Sequence, residues 1–69
     1  MAMNPSDAIE RLRAAGLTEQ AIGSAVGAQQ STINRIRNGH MQPTYKVGKA
    51  LVDLAIATER KVARRRKVA

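Results

Sequence analysis

Between Gly27 and Gly39 the chain reads AQQSTINRIRN, which sets two glutamines, two asparagines, two arginines, a serine and a threonine around two isoleucines. These polar side chains form hydrogen bonds in defined directions. A helix that needed only a solvated face would be better built from lysine and glutamate, whose helix propensity is higher. A side-chain amide offers a donor beside an acceptor and matches the major-groove edge of adenine, while a guanidinium fork matches guanine. The chemistry within reach is the reading of base edges.

Bond-making chemistry has little to work with. The acids Asp7, Glu10, Glu19, Asp53 and Glu59 form no paired constellation on one expected face, and no nucleophile stands beside a base. There is no cysteine, so neither a disulfide nor a thiolate metal site is available, and the lone His40 cannot assemble a metal cage. No enzyme activity, metal or cofactor is expected.

Charge points the same way. The net charge is +7, and the last ten residues, RKVARRRKVA, carry six basic side chains and no acid. From Gln20 to Val52 there is no Asp or Glu, although Arg35, Arg37, Lys46 and Lys49 lie there. A polyanion is the natural partner, nucleic acid ahead of acidic lipid. The plainer alternative is charge kept for solubility. No apolar run approaches a membrane span, and the start MAMNPSDAIE lacks a basic-then-apolar signal pattern. A cytoplasmic, nucleoid-associated protein of a bacterial or phage-infected cell is expected, with no membrane partner.

The elements that must position these groups are all helical. At 69 residues with Tyr45 as the one aromatic, the chain supports a single domain with a thin aliphatic core. Asn4 can cap a first helix, with Pro5 at its first position and Asp7 where a reciprocal carboxylate would sit. Ile9 and Leu12 give it an apolar stripe, extended by Leu17, and Gly16 ends it. Thr18 caps a second helix, EQAIGSAV, with Ile22 and Val26 four apart. Gly27 stops that helix in a left-handed turn, and Gly23 is the small residue where a close helix crossing needs one. The third helix, QSTINRIRN, is closed by Asn38 and Gly39. Thr44 caps a fourth, whose buried stripe is Val47, Leu51, Leu54 and Ala55. Gly48 within it either admits another backbone or is merely tolerated. The stripe dissolves after Thr58. Residues 1–58 are therefore read as the domain, and 59–69 as a basic extension that is helical or disordered.

On a wheel of 100° per residue, turning Ile33 and Ile36 inward leaves Ser31, Asn34, Arg35 and Asn38 outward. Gln30 projects from the N-terminal tip, and Thr32 and Arg37 lie on the flanks. Two short helices joined by a glycine turn, the second with this outward face, constitute a helix-turn-helix. Its simplest rival is a helical hairpin that only packs.

LTEQAIGSAVGAQQSTINRIRNG resembles the lambda-repressor-like family of phage Cro proteins, phage repressors and bacterial XRE regulators. The resemblance covers roughly Leu17 to Gly39, with weaker support through PTYKVGKALVDLA. It implies a compact four- to five-helix DNA-binding domain and operator binding as a homodimer. By position it assigns base contacts to Gln29, Gln30, Ser31, Asn34 and Arg35. Backbone contacts fall to the start of the first motif helix, to Asn38, and to the amides near Thr44 and Tyr45. The candidate DNA-backbone set is thus Gln20, Thr32, Arg37, Asn38, Thr44, Tyr45 and Lys46. Glu19 departs from the glutamine common in the family, and a carboxylate there would repel phosphate, so that anchor either passes to Gln20 or is absent, with the C-terminal basic residues available to recover affinity.

The expected function is a sequence-specific, double-stranded DNA-binding transcription regulator. We expect a Cro-type repressor that occludes a promoter, with residues 29–38 in the major groove of a pseudo-palindromic operator. Two alternatives stand beside it: an antitoxin or accessory-operon autorepressor with a protein partner, and a nonspecific nucleic-acid binder driven by the basic end. Several residues carry two readings. Arg37 suits a salt bridge with Glu19 or Asp53 as well as a phosphate contact, and Tyr45 suits packing as well as a phosphate hydrogen bond. His40 reads as an exposed loop residue and Met41 as a core or rim filler.

Overall fold

Three of the four helices begin where a side-chain oxygen takes up a backbone donor that the first turn leaves free. The computed structural model describes residues 3–68, with side chains through residue 63. In α1, Pro5–Ala14, Asn4 Oδ1 accepts the Asp7 N–H at 2.9 Å, and Pro5 needs no partner for a missing donor. In α2, Glu19–Val26, Thr18 Oγ1 accepts the Ala21 N–H at 3.1 Å. In α4, Tyr45–Val68, Thr44 Oγ1 accepts the Val47 N–H at 3.3 Å. All three caps stand where the sequence puts them. The third helix, α3, Gln30–Arg37, starts at Gln29 without a side-chain cap.

The described residues form an all-helical domain of four helices, the lower end of the expected range. α1 lies against α4 and α3, and α2 packs on α3 and α4. Between α2 and α3, Gly27 adopts φ 77°, a left-handed conformation that costs an L-residue with a Cβ about 1–2 kcal/mol. The same turn brings the Ala28 carbonyl over α2: a Cβ on Gly23 would lie 2.5 Å from that oxygen. Only glycine fits there.

Ala8, Ile9, Leu12, Ile22, Ile33, Ile36, Leu51 and Ala55 are buried in one cluster. Met3, Leu17, Val26, Ala28, Val47, Val52 and Leu54 pack partly buried around it. The four apolar stripes therefore meet, as their periodicity implies. Each large aliphatic side chain so removed from water contributes roughly 1.5–3 kcal/mol. No polar or charged residue is buried among the described side chains.

Two details refine the sequence reading. Gly48 takes the tolerated of its two readings: a Cβ there would sit 3.4 Å from Pro5 Cγ and 3.5 Å from Pro43 Cγ, at ordinary van der Waals distance, and no other backbone comes near. The packing of α4 also outlasts Thr58. Glu59 pairs with Arg11 of α1 at 3.1 Å, and Val62 is half-buried. The helix runs unbroken to Val68, so the basic extension takes the helical of its two alternatives through that residue. Ala69, the last residue of the extension, lies outside the described residues, as do the side chains after residue 63. No helix among the described residues is long and apolar enough to cross a membrane.

Candidate nucleic-acid interface

The polar face of α3 is held outward by its apolar one. Ile33 and Ile36 are buried, and Gln29, Gln30, Ser31, Asn34 and Arg35 are all exposed. Thr32 and Arg37 are half-buried on the flanks. Asn38 is exposed and serves as the C-cap of the helix.

The fold pairs three acids, Glu10, Glu19 and Glu59, with Arg11, Arg13 and Arg37, and leaves other basic groups open among the described residues. Arg37 Nε donates to Glu10 Oε1 at 2.7 Å, and its Nη1 lies 3.6 Å from Glu19 Oε2. Arg13 Nη1 lies 3.5 Å from Glu19 Oε1, and Arg11 pairs with Glu59. Among the described residues, Arg35, Lys46 and Lys49 have no ion-pair partner. Arg35 thus stands on the exposed face of α3 with its five donors uncommitted.

Arg37 adopts the salt-bridged of its two readings, with Glu10 added as a partner and Asp53 not involved. The hydrogen bond and the charge of Glu10 raise its pKa further, so it stays a cation at any working pH. Its Nη2 donors remain uncommitted, but the two carboxylates offset its charge toward a phosphate. The expected repulsion from Glu19 also changes character. Its side chain is only 11% exposed and is flanked by two guanidinium groups, which offset its charge toward an approaching polyanion.

Glu19 makes a third contact, which the sequence did not suggest. Asn34 Nδ2 donates to Glu19 Oε2 at 3.3 Å, and Asn38 Nδ2 donates to Asn34 Oδ1 at 3.1 Å. A chain of three side chains therefore runs from α2 along α3. Of the candidate residues, these hydrogen bonds bring Asn34 and Asn38 together. Gln29, Gln30, Ser31 and Arg35 make no side-chain hydrogen bond among the described residues. The carboxylate three residues into the motif was the available signal; its partner fifteen positions later depends on how α2 and α3 pack.

The remaining candidates lie at helix N-termini. Gln20 is exposed in the first turn of α2, and Thr44, Tyr45 and Lys46 are exposed at the start of α4. The amides of Tyr45 and Lys46 have no acceptor among the described residues, and the positive end of the helix dipole adds to them. Tyr45 is 84% exposed, so packing is not its role in this fold. His40 is exposed in the loop, and Met41, at 40% exposure, sits on the rim.

No group of three His, Cys, Asp or Glu side chains capable of holding a metal occurs among the described residues. Comparison with protein-family models, curated proteins and solved structures finds no match for this chain.

Proposed function

We propose that this protein is a sequence-specific double-stranded DNA-binding transcription regulator of the helix-turn-helix type, a Cro-type repressor acting by promoter occlusion. One observation carries the reading. α3 buries Ile33 and Ile36 while exposing Gln29, Gln30, Ser31, Asn34 and Arg35, so amide and guanidinium donors stand on a supported outer face. Such a helix of 8 residues is about 12 Å long and fits the major groove, spanning about three to four base pairs.

The turn chemistry supports the same reading. Left-handed Gly27 and close-packed Gly23 lock α3 at a fixed angle to α2, which gives a reading helix its register. Phosphate would be held by the free amides at the start of α4, with Lys46, Gln20 and Asn38 alongside. Thr32 and Tyr45 offer hydroxyls on the rim of that surface. The basic residues of the extension add affinity without base preference.

A single reading helix covers too few base pairs for a useful site. A homodimer on a pseudo-palindrome doubles the contact, and the bound dimer excludes polymerase from an overlapping promoter. Selection of bound sequences from a random double-stranded DNA pool tests this directly. A pseudo-palindromic consensus is expected; recovery of unselected sequences would instead identify a nonspecific nucleic-acid binder.

A further inference from the structure

We infer that Glu19 is a positioning residue for recognition: through hydrogen bonds it sets the donor–acceptor polarity of the amides of Asn34 and Asn38. The role rests on the reading of α3 as the base-contacting helix, and it adds a residue that itself need not touch DNA.

A carboxylate only accepts, so the Asn34 amide must turn its Nδ2 toward Glu19, 3.3 Å away. That turns Asn34 Oδ1 the other way, where it accepts from Asn38 Nδ2 at 3.1 Å. Asn38 in turn has one N–H committed and its own Oδ1 free for an outside donor. Amide orientation generally follows from the surrounding network, and this network has a definite sense. Flipping Asn34 would set its oxygen against the carboxylate of Glu19.

The anchor is itself fixed. Glu19 is nearly covered, with Arg13 Nη1 at 3.5 Å and Arg37 Nη1 at 3.6 Å, so its carboxylate cannot swing away without leaving both cations. Asn34 and Asn38 are exposed. Asn34 retains one N–H and one oxygen lone pair, and Asn38 one N–H and its whole Oδ1, for a base or a phosphate. A free amide can present either order of donor and acceptor, and it loses that freedom on binding. The held amides present one order, which favours one base pattern before DNA arrives. Glutamine at position 19 would either accept or donate, so it would not impose a direction.

The test uses the full-length chain with Glu19→Gln, which preserves size, and Arg13→Gln, which removes one ion pair but keeps the acceptor for Asn34. Nuclear magnetic resonance of the nitrogen-labelled protein reads the side-chain amides. In Glu19→Gln the Asn34 and Asn38 amide signals should move toward those of free asparagine, and Arg13→Gln should leave them in place. In DNA selections, Glu19→Gln should lose about fivefold or more in discrimination at one or two positions per half-site, with the rest of the consensus unchanged. Should Glu19→Gln fail to fold, Asn34→Ala leaves Glu19 between its arginines and should still release the Asn38 amide.

Unmoved amide signals in Glu19→Gln, or an unmoved Asn38 signal in Asn34→Ala, would overturn the positioning role. So would equal loss of base preference in Arg13→Gln, which would assign the effect to charge alone. A wild-type protein that selects no sequence would overturn the DNA reading and this role together. A selective wild type whose preferences survive Glu19→Gln would overturn this role only.

Discussion

Gly23 and Ala28 meet backbone to backbone at the turn between α2 and α3. The Ala28 N–H donates to the Gly23 carbonyl at 2.9 Å, and the Ala28 carbonyl stands where a side chain on Gly23 would begin. Backbone on one side and a buried helix face on the other leave neither partner room to yield. Gly23→Ala should therefore destabilise the protein by about 1–3 kcal/mol. For a domain of this size that is a melting point lower by roughly 4 °C or more, read by circular dichroism. An unchanged melting point would mean the α2–α3 crossing is looser than described.

Gly27 tests conformation without crowding, because a Cβ there would meet nothing within 4 Å. The cost of a side chain is then the cost of φ 77° alone. Gly27→Val should lose about 1–2 kcal/mol, and Gly27→Asn distinctly less, since asparagine tolerates the left-handed region. Equal stability of the two variants in urea titrations would contradict that origin.

Gln30→Ala and Arg35→Ala should each cost about 1–3 kcal/mol on the selected operator and leave binding to random DNA largely intact. Arg37→Ala should behave differently. Its guanidinium is held by Glu10 and Glu19, so the change should lower the melting point slightly without altering base preference. Operator and scrambled-DNA titrations, paired with melting curves, separate the two behaviours.

A homodimer on DNA should place its two α3 helices about 34 Å apart, one turn of the duplex. Footprinting should then reveal two symmetry-related protected half-sites. Protection of one short asymmetric site by a bound monomer would remove both the dimer and the pseudo-palindrome.

The basic extension should supply salt-dependent affinity alone. Because α4 packs on α1 as far as Glu59 and Val62, removal of residues 64–69 is the cleaner cut than removal from residue 60. It deletes RRRKVA, including four basic residues. For every phosphate that these side chains no longer neutralise, the salt dependence of binding should flatten by about 0.9 in log–log slope. Operator and random DNA should weaken by a similar factor while the melting point holds. A change in base preference on truncation would give the segment a reading role.

Much of this architecture is written in local sequence, because its causes are local. A cap needs an oxygen a few residues from the amides it serves, so Asn4, Thr18 and Thr44 mark their helices without any knowledge of the fold. A left-handed turn needs a residue without a Cβ, so Gly27 marks the break between α2 and α3. Buried stripes recur at helical spacing, so Ile9, Leu12, Ile22, Ile33, Ile36, Leu51 and Ala55 are legible from period alone. The same period turns the polar face of α3 outward.

Tertiary structure decided which charged and amide groups meet. Glu10 stands 27 positions from Arg37, and Glu19 stands 15 from Asn34. Helix spacing says which face each occupies, but the crossing of α1, α2 and α3 sets which faces touch and at what height. The same applies to Gly48, whose neighbours Pro5 and Pro43 come from well-separated parts of the chain. It applies equally to the reach of α4 along α1. A hydrogen bond or ion pair changes strength within a fraction of an ångström, whereas the periodic pattern locates a side chain only to the nearest face of its helix.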